Sequence, residues 1–195
     1  GETETLQGRA FASHWRVTVP AGQGIERQRV GIEALLANVD AQMSPWRADS
    51  EITRFNAGSD ATCAVSSETA HVARAALDLA EASGGAFDPT VGPLVARWGF
   101  GPIHGSEAGD WQGLTVTGDT LTRARPGLTM DLCGIAKGRA LDLVLANLRA
   151  QGFTDALVDL GGELGSLGQH PAGRDWRVAV EDPRPGMQGA AAGVI

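Results

Sequence analysis

At 195 residues, with 43% hydrophobic and 20% charged side chains, the chain has enough apolar material for one large folded unit or two small ones. Its formal net charge of -7 argues against a general nucleic-acid-binding surface but leaves room for a local cationic pocket. Two cysteines make neither a disulfide scaffold nor a zinc pattern, and no uninterrupted apolar run is long enough to cross a bilayer.

The chain begins without Met and carries no recognisable signal sequence, so exported and cytoplasmic origins both stay open. Gly1 to Gly8 is polar and reads as loose chain. Alternation over His14 to Val19 predicts a strand closed by Pro20. From Glu26 to Gln42 a helix is expected, with Ile32, Leu35, Leu36, Val39 and Met43 recurring at helical spacing. Met43 reads either as the last core residue of that helix or as a soft thioether contact for a ring.

Pro45 breaks this helix, and Ser50 is placed to cap a short second one. Trp46 and Phe55 are expected to pack the turn, with Arg47 and Asp49 solvated. Polar groups crowd around few aliphatic ones here, as at a ligand rim. A helix then runs from Ser66 or Ser67 to Ala82, with Val72, Ala76 and Leu79 on one face and Gly84-Gly85 as its stop. His71 lies on that helix without a partner at metal-ligand spacing.

Pro89 restrains Asp88 to an extended or turn conformation, where it could cap the short helix ending near Trp98 or accept from a ligand. Gly99 to Gly113 is a loop. Leu114–Thr117 and Thr120–Arg123 form a predicted hairpin through Gly118-Asp119. Leu128 to Leu132 reads as another short strand, followed by a helix presenting Ile135, Leu141, Val144, Leu145 and Leu148 and ended by Gly152. Ala156–Leu160 is a strand entering a sharp turn at Gly161-Gly162-Glu163, and Trp176–Val180 is the last expected strand. Beyond Pro183 the composition reads as a loose tail or an interrupted connection, giving one unit over residues 1–183 and a tail over 184–195. The mixed order of strands, helices and hairpins predicts an α+β fold with mixed, largely antiparallel sheets and packed helices.

Familiar catalytic fingerprints are absent: no dinucleotide-binding glycine motif, P-loop, His-Glu-x-x-His or nucleophile elbow occurs. What stands out is Thr129 to Gly138, which holds Asp131, Cys133, Gly134 and Lys137, the only lysine in the chain. A carboxylate, small residues and one ammonium at a strand-to-helix turn suit a phosphate-bearing ligand. The same residues also read as a Gly-rich turn with a solvated lysine. Catalysis by a Cys133 thiolate is disfavoured, since no histidine is near it in sequence.

Four stretches in order, Met43 to Asn56, Gly85 to Leu94, Met130 to Gly138 and Ala156 to Glu163, make the chain resemble the ApbE-type flavin transferases. This family of FAD:protein FMN transferases was once described as thiamine-biosynthesis lipoproteins. The resemblance implies an ApbE or T-fold-like unit that binds FAD between two subregions. It implies magnesium-dependent cleavage of the FAD pyrophosphate, transfer of FMN to a Thr or Ser of a target flavoprotein, and release of AMP. Met43, Ala86, Phe87, Asp88, Asp131 and Lys137 match flavin-nucleotide-contacting positions, and Gly134 matches a magnesium-ligating one through its backbone carbonyl. No catalytic residue is assigned. The implied partners are FAD and the target protein, with no nucleic acid and no membrane span. A lipid anchor on a precursor and a periplasmic or cell-envelope location are further implications. Relatives continue past the position of Ile195 into segments whose Asp and Thr complete the magnesium site. A non-catalytic FAD binder or an FAD pyrophosphatase is the alternative reading.

Overall fold

The fold was obtained as a computed structural model, which describes residues 1–187 and 189–195. Two strands open the chain: β1 (Thr3–Ala10) and β2 (Ser13–Pro20). The first corrects the expectation of a loose start. Its Leu6 is buried opposite Val17, and pairing runs from Thr3↔Pro20 to Ala10↔Ser13. The turn was illegible because it contains neither Gly nor Asn. Phe11 and Ala12 both take left-handed conformations, at φ 53° and 56°, which L-residues seldom adopt.

A single 3-10 turn then leads into α1 (Arg29–Met43), and Ser44 leaves it in an extended conformation before Pro45. Ser50 caps α2 (Glu51–Ala57) as expected, its hydroxyl accepting from the Thr53 N–H. Phe55 is buried in the core, whereas Trp46 is 69% exposed and does not pack the turn. Next come β3 (Thr62–Ala64) and α3 (Ser67–Ala82), with Ser66 as its N-cap. The buried face of α3 is Val72, Ala73, Ala76 and Ala80. Leu79, expected on it, is 43% exposed, because alanines let the helix sit close and rotate the larger side chain to the rim.

After α4 (Gly92–Arg97) the hairpin of β4 (Leu114–Thr117) and β5 (Thr120–Arg123) forms in the expected register, Thr117↔Thr120 closing it. Leu128–Leu132 is not a strand. It is a largely buried strap whose backbone polar groups are met largely by side chains: Asn56 takes both polar atoms of Met130, and Arg123 donates to the Leu128 carbonyl. The strap feeds α5 (Cys133–Ala150), then β6 (Ala156–Leu160) and β7 (Glu163–Leu167). Gly161 and Gly162 supply the two positive φ angles of that hairpin turn.

The two larger sheets, both antiparallel, are ordered β1-β2-β6-β7 and β3-β5-β4. Alternation puts Leu6, Trp15, Val17, Val19, Val158 and Leu160 on the inner face of the larger sheet. There they join one core with Ile32, Leu36 and Val39 of α1 and Leu141, Val144 and Leu148 of α5. This is the α+β arrangement expected. Of the predicted strand over Trp176–Val180 only its end is regular, in β8 (Ala179–Glu181). The Trp176 indole N–H instead donates to the Leu167 carbonyl. Within the stretch read as a tail, β9 (Ala191–Val194) returns to pair with β8. Among the described residues no helix is long and apolar enough to cross a membrane.

Candidate functional site

Three segments converge at the start of α5. The N–H of Asp131 donates to the Pro89 carbonyl at 2.7 Å, joining the strap to the Gly85–Leu94 segment. Three residues further on, a Cβ added to Gly134 would stand 3.0 Å from the Phe87 ring, so that ring rests on the bare backbone of α5. Phe87 is held in turn by its N–H donating to the Ser83 hydroxyl. Asp88 does not cap α4. Its Oδ1 accepts from both the N–H and the hydroxyl of Thr90, a local turn that Pro89 favours by keeping Asp88 extended.

The helix start is less open than the sequence suggested. Asp131 Oδ1 accepts from the Cys133 N–H at 2.8 Å, and the Ile135 and Ala136 N–H groups both turn back to the Leu132 carbonyl. Asp131, the residue before the N-cap Leu132, thus sets its carboxylate against the first free N–H at the positive end of α5.

The first turn of α5 separates two hollows. One, of about 310 Å³, is lined by Cys133, Ala136 and Lys137 on the helix, by Val39, Met43 and Pro45, and by Phe11 and Trp46. Its lining is mostly apolar, with Asp40, Arg47 and Lys137 as charged groups. The second, of about 380 Å³, is lined by Gly134, Gly138 and Arg139 on the other side of the helix, with His71, Asp142 and Glu163. Helical spacing produces this split: residues 133 and 137 share one face, and 134 and 138 the next.

Of the charges at the first hollow, Arg47 is committed to Asp49 at 2.9 Å and, more loosely, to Asp40 at 3.4 Å. Among the described residues Lys137 makes no ion pair. A mostly apolar hollow is therefore also lined by an ammonium with no ion pair among the described residues, a combination that suits a flat ring joined to a phosphate.

Cys133 is not an activated nucleophile. Burial of the thiol raises its pKa to about 12, helped by the Asp131 charge and a hydrogen bond to that carboxylate, with Lys137 opposing only weakly. Although the residue as a whole is exposed, the adjacent Asp131 carboxylate disfavours the thiolate in the same direction as burial of the sulfur.

Met43 and Lys137 thus meet in one hollow, and Gly134 lines the other. Phe87, Asp88 and Asp131 belong to the joined segments beside them, while Ala86 is exposed on the turn after α3. Phe11, Ala12 and Asp40 were missed. Phe11 and Ala12 became visible only once β1 paired with β2, and Asp40 reads from sequence as an ordinary solvated helix residue.

The described residues do not by themselves fit a magnesium ion, which demands six oxygens in near-octahedral array. No group of three or more His, Cys, Asp or Glu gathers among them, and the Gly134 carbonyl lies within the first turn of α5.

The model of the ApbE family matches residues 11–195. The FAD:protein FMN transferase of Vibrio cholerae is 40% identical over 171 residues, covering 78% of this chain and 50% of its own length. That of Haemophilus influenzae is 34% identical over 189 residues, covering 87% of this chain and 55% of its own length. Among solved structures, the Vibrio cholerae flavin transferase ApbE matches with a TM-score of 0.84 at 34% identity, over 93% of this chain and 64% of that one. The apo form of the Pseudomonas stutzeri flavinyl transferase ApbE gives 0.82 at 33%, over 92% and 66%. This chain spans about half the length of the curated relatives it matches.

Proposed function

This chain belongs to the ApbE family, and we propose that it is the flavin-nucleotide-binding part of an FAD:protein FMN transferase. In the proposed reaction a Thr or Ser hydroxyl oxygen of a target flavoprotein attacks the FMN-side phosphorus of FAD. The new phosphoester bond forms as the pyrophosphate P–O bond breaks; AMP leaves and the hydroxyl proton is released.

The observation that carries this reading is the apolar hollow of Met43, Phe11 and Trp46 that Lys137, without an ion pair among the described residues, also lines. In it the thioether and rings take the flat apolar part of the ligand, and the ammonium neutralises pyrophosphate charge where it is generated. Asp131 holds the helix start, Phe87 buttresses Gly134, and the second hollow offers room for the other half of a dinucleotide across the same helix turn.

Magnesium dependence is part of the proposal on the strength of the family resemblance, with the Gly134 carbonyl as one ligand. A cell-envelope location and a lipid anchor on a precursor rest on the resemblance alone. Cell fractionation that finds the protein only in the cytosol overturns them.

The test is incubation of the full-length protein with FAD, Mg²⁺ and an acceptor carrying the target Thr. Flavin fluorescence that stays with the denatured acceptor, with release of AMP, is the expected outcome. No attached flavin and no AMP overturns the proposal.

A further inference from the structure

The strap that delivers Asp131 and α5 to the site has no strand beside it at Met130. Its register there is read by one side chain from the end of α2. Asn56 Nδ2 donates to the Met130 carbonyl at 2.9 Å, and Asn56 Oδ1 accepts from the Met130 N–H at 2.8 Å. The amide thus does what a neighbouring strand would do, across a separation of 74 residues.

Two further contacts surround this clamp. Arg123, 3% exposed, donates to the carbonyls of Leu128 and Phe55 and stacks 4.0 Å above the Phe55 ring. It thereby ties the strap to the same turn of α2. On the far side, the residue after Met130 donates its N–H to Pro89. Asn56, Met130, Asp131 and Pro89 therefore form one hydrogen-bonded line from α2 to the Gly85–Leu94 segment. Neither Asn56 nor Arg123 lines the hollow that holds Lys137.

We propose that Asn56 is a positioning residue for the phosphate end of the site, acting through the Met130 backbone to set Asp131 and the first turn of α5. This rests on the flavin-nucleotide reading above. Both backbone polar atoms of Met130 are held by one side-chain amide, so the strap cannot slide by a residue without leaving buried donors and acceptors unpaired. The chemistry is specific to a carboxamide: an aspartate keeps the acceptor but sets an oxygen against the Met130 carbonyl.

The consequence separates two parts of the ligand. A displaced strap moves Lys137 away from the phosphates but leaves Met43, Phe11 and Trp46, which belong to other elements, where they are. In the full-length protein, Asn56→Asp is expected to weaken FAD binding by about tenfold, the cost of one lost charge-directed contact. Riboflavin, which lacks phosphates, should change by less than about twofold.

Affinities would be measured by fluorescence titration at a temperature where circular dichroism shows each variant folded. Leu148→Ala, at the buried far end of α5, serves as a variant destabilised without touching the strap. Asn56→Ser, able to keep one of the two hydrogen bonds, should fall between wild type and Asn56→Asp and serves if the latter does not fold. Unchanged FAD affinity in the Asn56 variants overturns the inference. So does equal loss of FAD and riboflavin, or a loss that Leu148→Ala reproduces. A wild-type protein that binds no FAD instead overturns the flavin reading itself, and this inference with it.

Discussion

The backbone N–H of Asp131 meets the carbonyl of Pro89 at 2.7 Å, and through that bond two segments far apart in sequence become one edge of a site. Neither side chain is involved in the bond. Its effect is to seat Phe87 on Gly134 and to fix where the first turn of α5, with Lys137 at its end, faces the apolar hollow.

Lys137 is the group through which phosphate should be felt. Lys137→Ala is expected to weaken FAD about tenfold or more while leaving riboflavin nearly unchanged, since a charge-assisted contact is lost only for the phosphorylated ligand. Parallel fluorescence titrations decide it; equal weakening of both ligands removes the phosphate role.

Cys133 should prove dispensable for chemistry. With its thiol held neutral to about 12, alkylation by iodoacetamide at pH 8 should be slower than that of a free cysteine, and Cys133→Ala should retain flavin transfer. The linkage has a definite sign. A folded-state pKa above the ordinary 9.0 contributes stability below that value, which is lost as pH climbs from 9.0 towards about 12. Cys133→Ala should flatten that alkaline limb in urea melts; an unchanged limb would show that the thiol is not shielded.

Glu68 and Arg139 link α3 to α5 in a two-pronged ion pair, each side chain under one-third exposed. The Arg139 guanidinium holds the Glu68 carboxyl below its ordinary 4.5, burial opposing. A lowered carboxylate pKa contributes stability above 4.5, which disappears as pH falls through the folded-state value. Glu68→Gln should therefore cost about 1 kcal/mol at pH 7, discounted for partial exposure, and nothing at pH 2. Chemical denaturation at the two pH values measures the difference.

Gly8 faces the buried Trp15 across the β1–β2 pair. A Cβ there would lie 2.6 Å from the indole ring, which is only 2% exposed and has nowhere to go. Gly8→Ala should destabilise by about 1–3 kcal/mol, as overpacking does. A thermal melt coinciding with wild type would mean that the hairpin can shift without cost.

Much of this was legible in the residues alone, where a local rule governs. Ser50 and Ser66 cap their helices because a hydroxyl can satisfy an otherwise free N–H. Gly118-Asp119 and Gly161-Gly162 turn hairpins because glycine tolerates the angles required. Periodicity placed Ile32, Leu36, Val39 and Met43 on one buried face of α1. The order of the four motifs pointed to the family, and two of the residues they singled out, Met43 and Lys137, line one hollow.

What the chain by itself could not disclose depended on partners distant in sequence. Gly1 to Gly8 looks loose until Leu6 finds Val17, and Leu128–Leu132 looks like a strand until the neighbour it needs turns out to be the side chain of Asn56. Exposure of Trp46 at the hollow, and the closing of that hollow by Phe11, follow from the way the β1–β2 hairpin lies against α1 and α5. Caps, turns and periodic faces arise from forces acting within a few residues, so the sequence determines them. The strap, the walls of the hollow and the placement of Lys137 among them are set by burial and hydrogen bonding between distant segments, and only the tertiary structure decides those.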